Sequence, residues 1–230
     1  MSGFFIYDLL AVGMFLVGWT GFTYAAEHGA SAAGNLIGGM ALRRADWMRR
    51  MLHRDNRMLD IQVVRSLQVS NRFFASTSIL IIVGLLAVLG STDRAIALVM
   101  DLPFTFVTTR QAWEAKVLGM VLVFIYAFFK SVWSMRQYNY CAILIGAAPS
   151  AAELPEDEEA IAAPIARLAT LAAKHANRGI RAYYFGLASL AWFVHPLLTI
   201  PTVLWVVLVL YRREFRSRTH RLISEYGVPS

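Results

Sequence analysis

The sequence predicts an all-α, polytopic transmembrane bundle. It has four spans, or four plus a proline-broken hairpin, and a long basic cytoplasmic helix continuing into the second span. Three observations predict this. Hydrophobic residues make up 57% of the 230 residues and charged residues only 16%, where a globular chain carries about a quarter charged. Mean hydropathy is +0.51. Four long apolar stretches carry that hydropathy, and their connecting loops differ sharply in basic residues. Too few charges are present to cover a water-facing surface, so most of the chain is expected to face lipid or protein.

The first stretch, residues 4–26, holds one carboxylate, Asp8, and no basic residue. Residues 73–90 carry no charge, and residues 117–134 carry only Lys130. Each is long enough for a helix crossing a hydrocarbon core of about 30 Å, which takes about 20 apolar residues. The fourth stretch, residues 183–211, runs 29 residues without a charge but contains Pro196 and Pro201. Aromatic rings gather near the ends of the stretches, among them Tyr7, Trp19, Trp133, Tyr138 and Trp205, as interfacial anchors do. The first stretch has no Lys or Arg ahead of it and carries Asp8 within it. It is therefore read as a retained span, with Ala30–Ala32 the only feature suggesting a cleaved signal.

Orientation follows from the loops. The first, residues 27–72, contains Arg43, Arg44, Arg49, Arg50, Arg54, Arg57, Arg65 and Arg72. The second holds Arg94, Arg110 and Lys116; the third, residues 135–182, holds Arg136, Arg167, Lys174, Arg178 and Arg181. Loops one and three are expected in the cytoplasm and the N-terminus outside, most simply in a bacterial inner membrane. The tail, with Arg212, Arg213, Arg216, Arg218 and Arg221, belongs inside by the same rule. That favours a hairpin turning between His195 and Pro201, although each arm of about 14 residues is short for a crossing.

Between Ala41 and Leu89 there is no proline, and Gly84 is the only glycine. One continuous helix is expected there. At 100° per residue, Arg43, Arg50, Arg54, Arg57, Arg65 and Arg72 fall within about 80° of one another, with Met48, Leu52, Leu59 and Val63 opposite. In the third loop, acidic residues from Glu153 to Glu159 start a helix expected at Pro155, where negative charge suits the dipole. Nothing resembles a separate soluble domain, and no internal repeat is evident; residues 1–230 read as one membrane domain.

The runs RMLDIQVVRSLQVSNRFFASTSILIIVGLLA, WEAKVLGMVLVFIYAFFKSVWSMRQYNY, NRGIRAYYFGLASLAWFVHP and VLYRREFRS resemble an integral-membrane family of bacteria and plants catalogued only as a domain of unknown function. The resemblance covers nearly the whole chain. It implies a small multi-span helical protein and brings no activity, cofactor or site residue with it.

Motifs for chemistry are missing. No lysine follows a glycine, so there is no phosphate loop; His-Glu-x-x-His, Gly-x-Ser-x-Gly and Cys-x-x-Cys are also absent. Cys141 is the lone cysteine, which excludes an internal disulfide. The five histidines lie on different segments without ligand spacing. No catalytic, cofactor or metal residue is therefore expected, and the protein is read as no enzyme. The basic residues follow the orientation rule, so nucleic acid is not expected as a partner.

What remains are polar groups with two readings each. The arginine stripe (Arg43, Arg50, Arg54, Arg57, Arg65 and Arg72) suits an anion-selecting vestibule in an oligomer, or, more plainly, anionic lipid headgroups. Asp8, Lys130 and His195 are candidate intramembrane polar positions, against snorkelling for the first two and a hydrogen bond at a kink for His195. Arg178, Arg181, Tyr183 and Tyr184 form a candidate interface edge for a headgroup or partner helix. Gly13, Gly18 and Gly21, with Ala75, Ser76, Thr77 and Ser78, permit close helix contact and self-association. Two functions follow: an oligomeric channel or carrier for a small ion or solute, or a non-catalytic accessory subunit of a larger membrane complex.

Overall fold

A computed structural model describes residues 2–28, 35–101 and 109–225; the Ala30–Ala32 triplet lies outside them. The described residues form helices and no strand: α1 (Ser2–His28), α2 (Leu36–Leu52), α3 (Met58–Gly90), α4 (Thr92–Met100), α5 (Arg110–Ala147), α6 (Glu159–Ala188), α7 (Ala191–Val194), α8 (Thr199–Phe215) and α9 (Arg218–Glu225). Four helical segments are long and apolar enough to cross a membrane, in α1, α3, α5 and the stretch from Pro196 to Ile223. Their outward faces stay apolar: Leu80 and Val83 on α3, Leu122 and Phe129 on α5, and Leu204 and Trp205 on α8 are all exposed. These features make the chain a multi-pass membrane protein.

The helix expected from Ala41 to Leu89 is two helices. It breaks between His53 and Arg57, because local polar side chains there offer the backbone other partners. Asn56 Oδ1 accepts the Met58 amide at 2.9 Å. Asp60, fully buried, takes the Trp47 indole N–H at 2.6 Å and the Arg54 guanidinium. Arg57 donates to the carbonyls of Ala148 at 2.6 Å and Pro149 at 2.5 Å, a cation at the carbonyl end of α5. With the helix broken, the six arginines no longer share one face. Met48 and Leu52 are buried as expected, but Leu59 and Val63 are exposed.

Three long helices carry the architecture past the membrane. α3, α5 and α6 pack in antiparallel sequence, and α2 lies on α6. Their ends beside α2 build a core that the loop reading missed: Met48, Met51 and Leu52 of α2, Val64 of α3, Tyr138, Cys141 and Ile145 of α5. Small residues on α6, Ala162, Ala166, Ala169 and Ala172, complete it; at helical spacing they make a flat ridge that lets neighbouring helices approach. α6 begins at Glu159, four residues after Pro155; a 3₁₀ turn closed by a Ser150–Glu153 capping box precedes it, and Asp157 accepts the Ala160 amide.

The fourth apolar stretch is a hairpin. α6 ends at Ala188, the short α7 follows, and the chain turns at His195 and Pro196. Thr202 on α8 donates to Ala188 O at 3.2 Å, and Arg213 reaches Tyr184 at 3.0 Å, so α8 runs back along α6. The tail therefore emerges at the same end as α2, where a Cβ on Gly39 would stand 3.2 Å from Ile223 of α9. A long α8 and the lower part of α6 supply the length that two bare 14-residue arms lack.

α1 packs on α8, with Trp19 stacked on Phe185 at 6.2 Å and meeting Tyr126 edge-on at 5.2 Å. Of Gly13, Gly18 and Gly21 in α1, Gly18 is the one needed for this contact: a Cβ there would lie 2.6 Å from Val203 Cγ1. A Cβ on Gly186 would lie 2.9 Å from Phe124. Gly13 and Gly21 face open space. Val203 is stiff at χ1 and cannot swing away cheaply. Gly18→Ala and Gly186→Ala are each expected to destabilise by about 1–3 kcal/mol, with Gly13→Ala and Gly21→Ala near neutral; thermal unfolding in lipid nanodiscs checks the contrast.

Candidate functional site

Two charged residues on α1, Asp8 and Glu27, stand nineteen positions apart, about 28 Å at the helical rise. That is close to the thickness of a hydrocarbon core. Each is held by a cation from another helix, so α1 is tied at both ends.

At the Asp8 end, called the outer end after the orientation expected from the sequence, Lys116 of α5, 3% exposed, places Nζ 3.0 Å from Asp8 Oδ1. Trp192 donates its indole N–H to the same oxygen at 2.6 Å, and the ammonium lies 5.2 Å from the Trp192 ring centroid. Lys116 also donates to Trp192 O at 3.3 Å. The turn explains why that carbonyl is free. Pro196, four residues on, has no N–H to return to it.

At the opposite end, called the inner end on the same expectation, Glu27 sits between Arg178 and Arg181 of α6. Arg178 Nε donates to Oε1 at 2.9 Å and to Oε2 at 3.1 Å, Arg178 Nη2 also reaches Oε2, and Arg181 Nη1 donates to Oε1 at 3.1 Å. Glu27 and Arg181 are both buried. Arg181 additionally lies 5.4 Å from the Phe22 ring. Beside this layer Asn35 donates to Ala26 O and accepts the Gly38 amide, each at 2.8 Å, fixing the entry of α2.

Between the two layers an apolar cleft of about 590 Å³ opens between α1, α5 and the α6–α8 turn. Phe15, Trp19, Gly119, Tyr126, Trp192 and Thr199 are among its lining residues. Thr199 is 1% exposed, and its hydroxyl has no hydrogen-bond partner. The volume lies in the range of sites for drug-sized molecules, about 300–1,000 Å³.

The residues singled out from sequence divide sharply. Asp8 is an ion-pair partner rather than a snorkelling group. Lys130 lies 5.2 Å from the Tyr126 ring, half-buried near the inner layer. His195 Nδ1 accepts the Leu197 amide at 3.1 Å and caps the turn, the plainer of its two readings. Arg43 pairs with Asp46 at 3.3 Å, Arg50 is exposed, and Arg65 and Arg72 flank a shallow groove with Gln68 on α3. With Arg54 and Arg57 engaged internally, the stripe does not assemble as a vestibule within this chain. Arg178 and Arg181 belong to the Glu27 cluster rather than to a lipid-facing edge. Tyr183 donates to Phe74 O at 2.5 Å, and Tyr184 accepts from Arg213.

Glu27 and Lys116 were missed as site residues. The available signal was that each terminates an apolar run whose other polar members lacked a partner of opposite sign. Among the described residues no group of three or more His, Cys, Asp or Glu side chains is placed to hold a metal ion.

Removing one member of a buried charge cluster leaves the others uncompensated. Glu27→Gln is expected to cost about 3–5 kcal/mol of stability. Asp8→Asn should also destabilise, and Asp8→Asn with Lys116→Met should recover most of that loss. Unfolding of the wild type, Glu27→Gln, Asp8→Asn, Lys116→Met and the double variant in nanodiscs measures both effects, and the cycle of the two single variants with the double variant reports the pairing itself.

Residues 10–219 match the family described as "Protein of unknown function, DUF599". No curated protein and no solved structure matches the chain. The match spans most of the chain, from within α1 to the start of α9, and the protein belongs to this family of unknown function.

Proposed function

We propose that the protein is a non-enzymatic, carrier-like membrane protein for a small, predominantly apolar solute. One observation carries this reading: a cleft of about 590 Å³ lies between two separable ion-pair layers, one at each end of α1. Each layer joins α1 to other helices, so a rigid-body shift of α1 would change both layers and the cleft between them together. The apolar lining argues for an uncharged body rather than a bare ion, and Thr199 supplies one polar contact.

In this reading the inner layer faces the cytoplasm of a bacterial cell, following the basic residues of α2, α3 and the tail. N-terminus outside and C-terminus inside then require five crossings, with α6–α7 and α8 as the last two. A reporter active only in the cytoplasm, fused after Ser230, is expected to score positive; a periplasmic score overturns this orientation.

Gly119 lines the cleft, and a Cβ there meets nothing within 4 Å. Gly119→Phe should therefore fill the cleft and leave the fold intact. Proteoliposomes are expected to move at least one of a panel of short-chain alkyl amines, acids and alcohols faster than protein-free vesicles. Gly119→Phe should abolish that flux. A folded protein that moves none of them faster overturns the carrier reading.

A second reading, an accessory subunit or self-associating assembly, is favoured by a different feature. Beyond the apolar span, Leu59, Val63 and Val69 on α3 and Ile143 on α5 are exposed, an arrangement that suits a partner surface. Native mass of the complex extracted from its own membranes separates the cases. Other chains in fixed ratio support the accessory role, and this chain alone in a fixed multiple supports an oligomeric carrier.

A further inference from the structure

A second, smaller cavity of about 180 Å³ lies at the inner end of the bundle, outside the cleft. α1, α2, α6 and α8 all contribute to it. Its polar lining includes Arg44, Asn177, Arg181, Arg213 and Glu214, and its apolar lining includes Leu36, Ile37, Met40 and Leu210.

The charges around this cavity do not balance. Arg181 is satisfied by Glu27 at 3.1 Å. Glu214 accepts the Ile37 amide at 3.0 Å. Arg213 donates to the neutral Tyr184 hydroxyl at 3.0 Å. Among the described residues Arg44 has no carboxylate within ion-pair distance, and its Nη1 is buried without a hydrogen-bond acceptor. Burial draws the Arg44 guanidinium below its ordinary value, the direction expected for a cation removed from water. Lysine in such a place escapes by losing its proton. Arginine does not. Arg44 is part-buried with one N–H group unpaired, and Arg44, Arg181 and Arg213 outnumber the Glu214 carboxylate in the lining; that excess of positive charge suits an anion, and a planar fork suits two oxygens of one phosphate or carboxylate.

We propose that this cavity is an anion site for a phosphate monoanion, either free or carried as the headgroup of a lipid. Arg44 provides the principal contact, Arg213 adds a second cation, and Asn177 adds a neutral polar group. The cavity is smaller than sites that enclose whole drug-sized ligands, so it takes the charged head alone. The wall of Leu36, Ile37, Met40 and Leu210 suits the first methylenes of an acyl chain. The inference is independent of the cleft and of what the cleft carries.

The test uses the full chain in phosphatidylcholine nanodiscs and follows thermal unfolding. Two probes are titrated separately: inorganic phosphate in the buffer, and phosphatidylglycerol doped into the disc. One or both are expected to raise the unfolding temperature. Stabilisation by phosphate identifies a free anion, and stabilisation by the doped lipid alone identifies a headgroup.

Arg44→Gln removes an uncompensated cation. It should unfold at a higher temperature than the wild type when no anion is present, and at a lower one when the anion is saturating. The anion concentration giving half the effect should rise by at least about tenfold. Arg50→Gln, on the exposed side of the same helix, should titrate like the wild type. If Arg44→Gln fails to fold, Arg213→Gln in the same titration is expected to weaken binding in the same sense. The proposal is overturned if neither anion stabilises the wild type. It is equally overturned if the Arg44 and Arg50 variants titrate alike, or if Arg44→Gln is destabilised to the same extent with and without anion.

Discussion

The Glu27 carboxylate, shared between Arg178 and Arg181, is the contact on which the rest of the bundle depends. Three charges sit at the edge of an apolar region where water competes poorly for them. Leaving any of them unpaired costs several kcal/mol. That cost is what binds α1, the first helix, to α6, which lies 150 residues further along the chain. Once α1 is docked there, its outer end is brought to Lys116 and Trp192, and α8 closes over Gly18. Charge pairing sets the register here, while apolar contact supplies the remaining area. In a bilayer that division is expected, since lipid tails are as apolar as leucine and do not by themselves select one helix register.

The proline turn plays a comparable part at the other end. Pro196 ends a helix and also frees a carbonyl, and the carbonyl becomes a ligand for the Lys116 ammonium. A break in regular structure is tolerable at membrane depth only when its loose polar groups find protein partners. Here the partner is a buried cation that itself required an acceptor. The outer layer therefore joins three helices through two groups that would each be costly alone, and in the middle of α1 the rings of Phe15 and Trp19 reach towards α5 and line the cleft between the layers.

The inner half of the molecule is organised by different physics. Its core of α2, α3, α5 and α6 is built from methionine, leucine and an alanine ridge, as in a water-soluble helical bundle. Arg54 and Arg57 serve this layer structurally, one against buried Asp60 and one on the carbonyl end of α5. Exposed ion pairs such as Arg49 with Glu159, at 2.7 Å, add little to it because solvent and salt screen them. The same α3, α5 and α6 continue from this core into the apolar region.

Sequence by itself determined the helical class, the presence of apolar spans, the family and the asymmetry of basic residues. These rest on local composition and on period, which do not depend on what lies across the fold. It also pointed to the hairpin, since arginines in the tail require the chain to return. The partners of those charges were decided only by tertiary structure. Arg178 and Arg181 read as a surface edge until Glu27 is placed beside them, and Lys116 reads as a loop residue until Asp8 and Trp192 enclose it. The arginine stripe shows the reverse error. A helical wheel assumes that Ala41 to Leu89 stays helical throughout, but Asn56, Arg57 and Asp60 satisfy backbone and side-chain groups better with the helix broken. Pairing at separations of more than a hundred residues leaves no periodic trace, and a part-buried cation such as Arg44 is recognisable only once the groups around it are known.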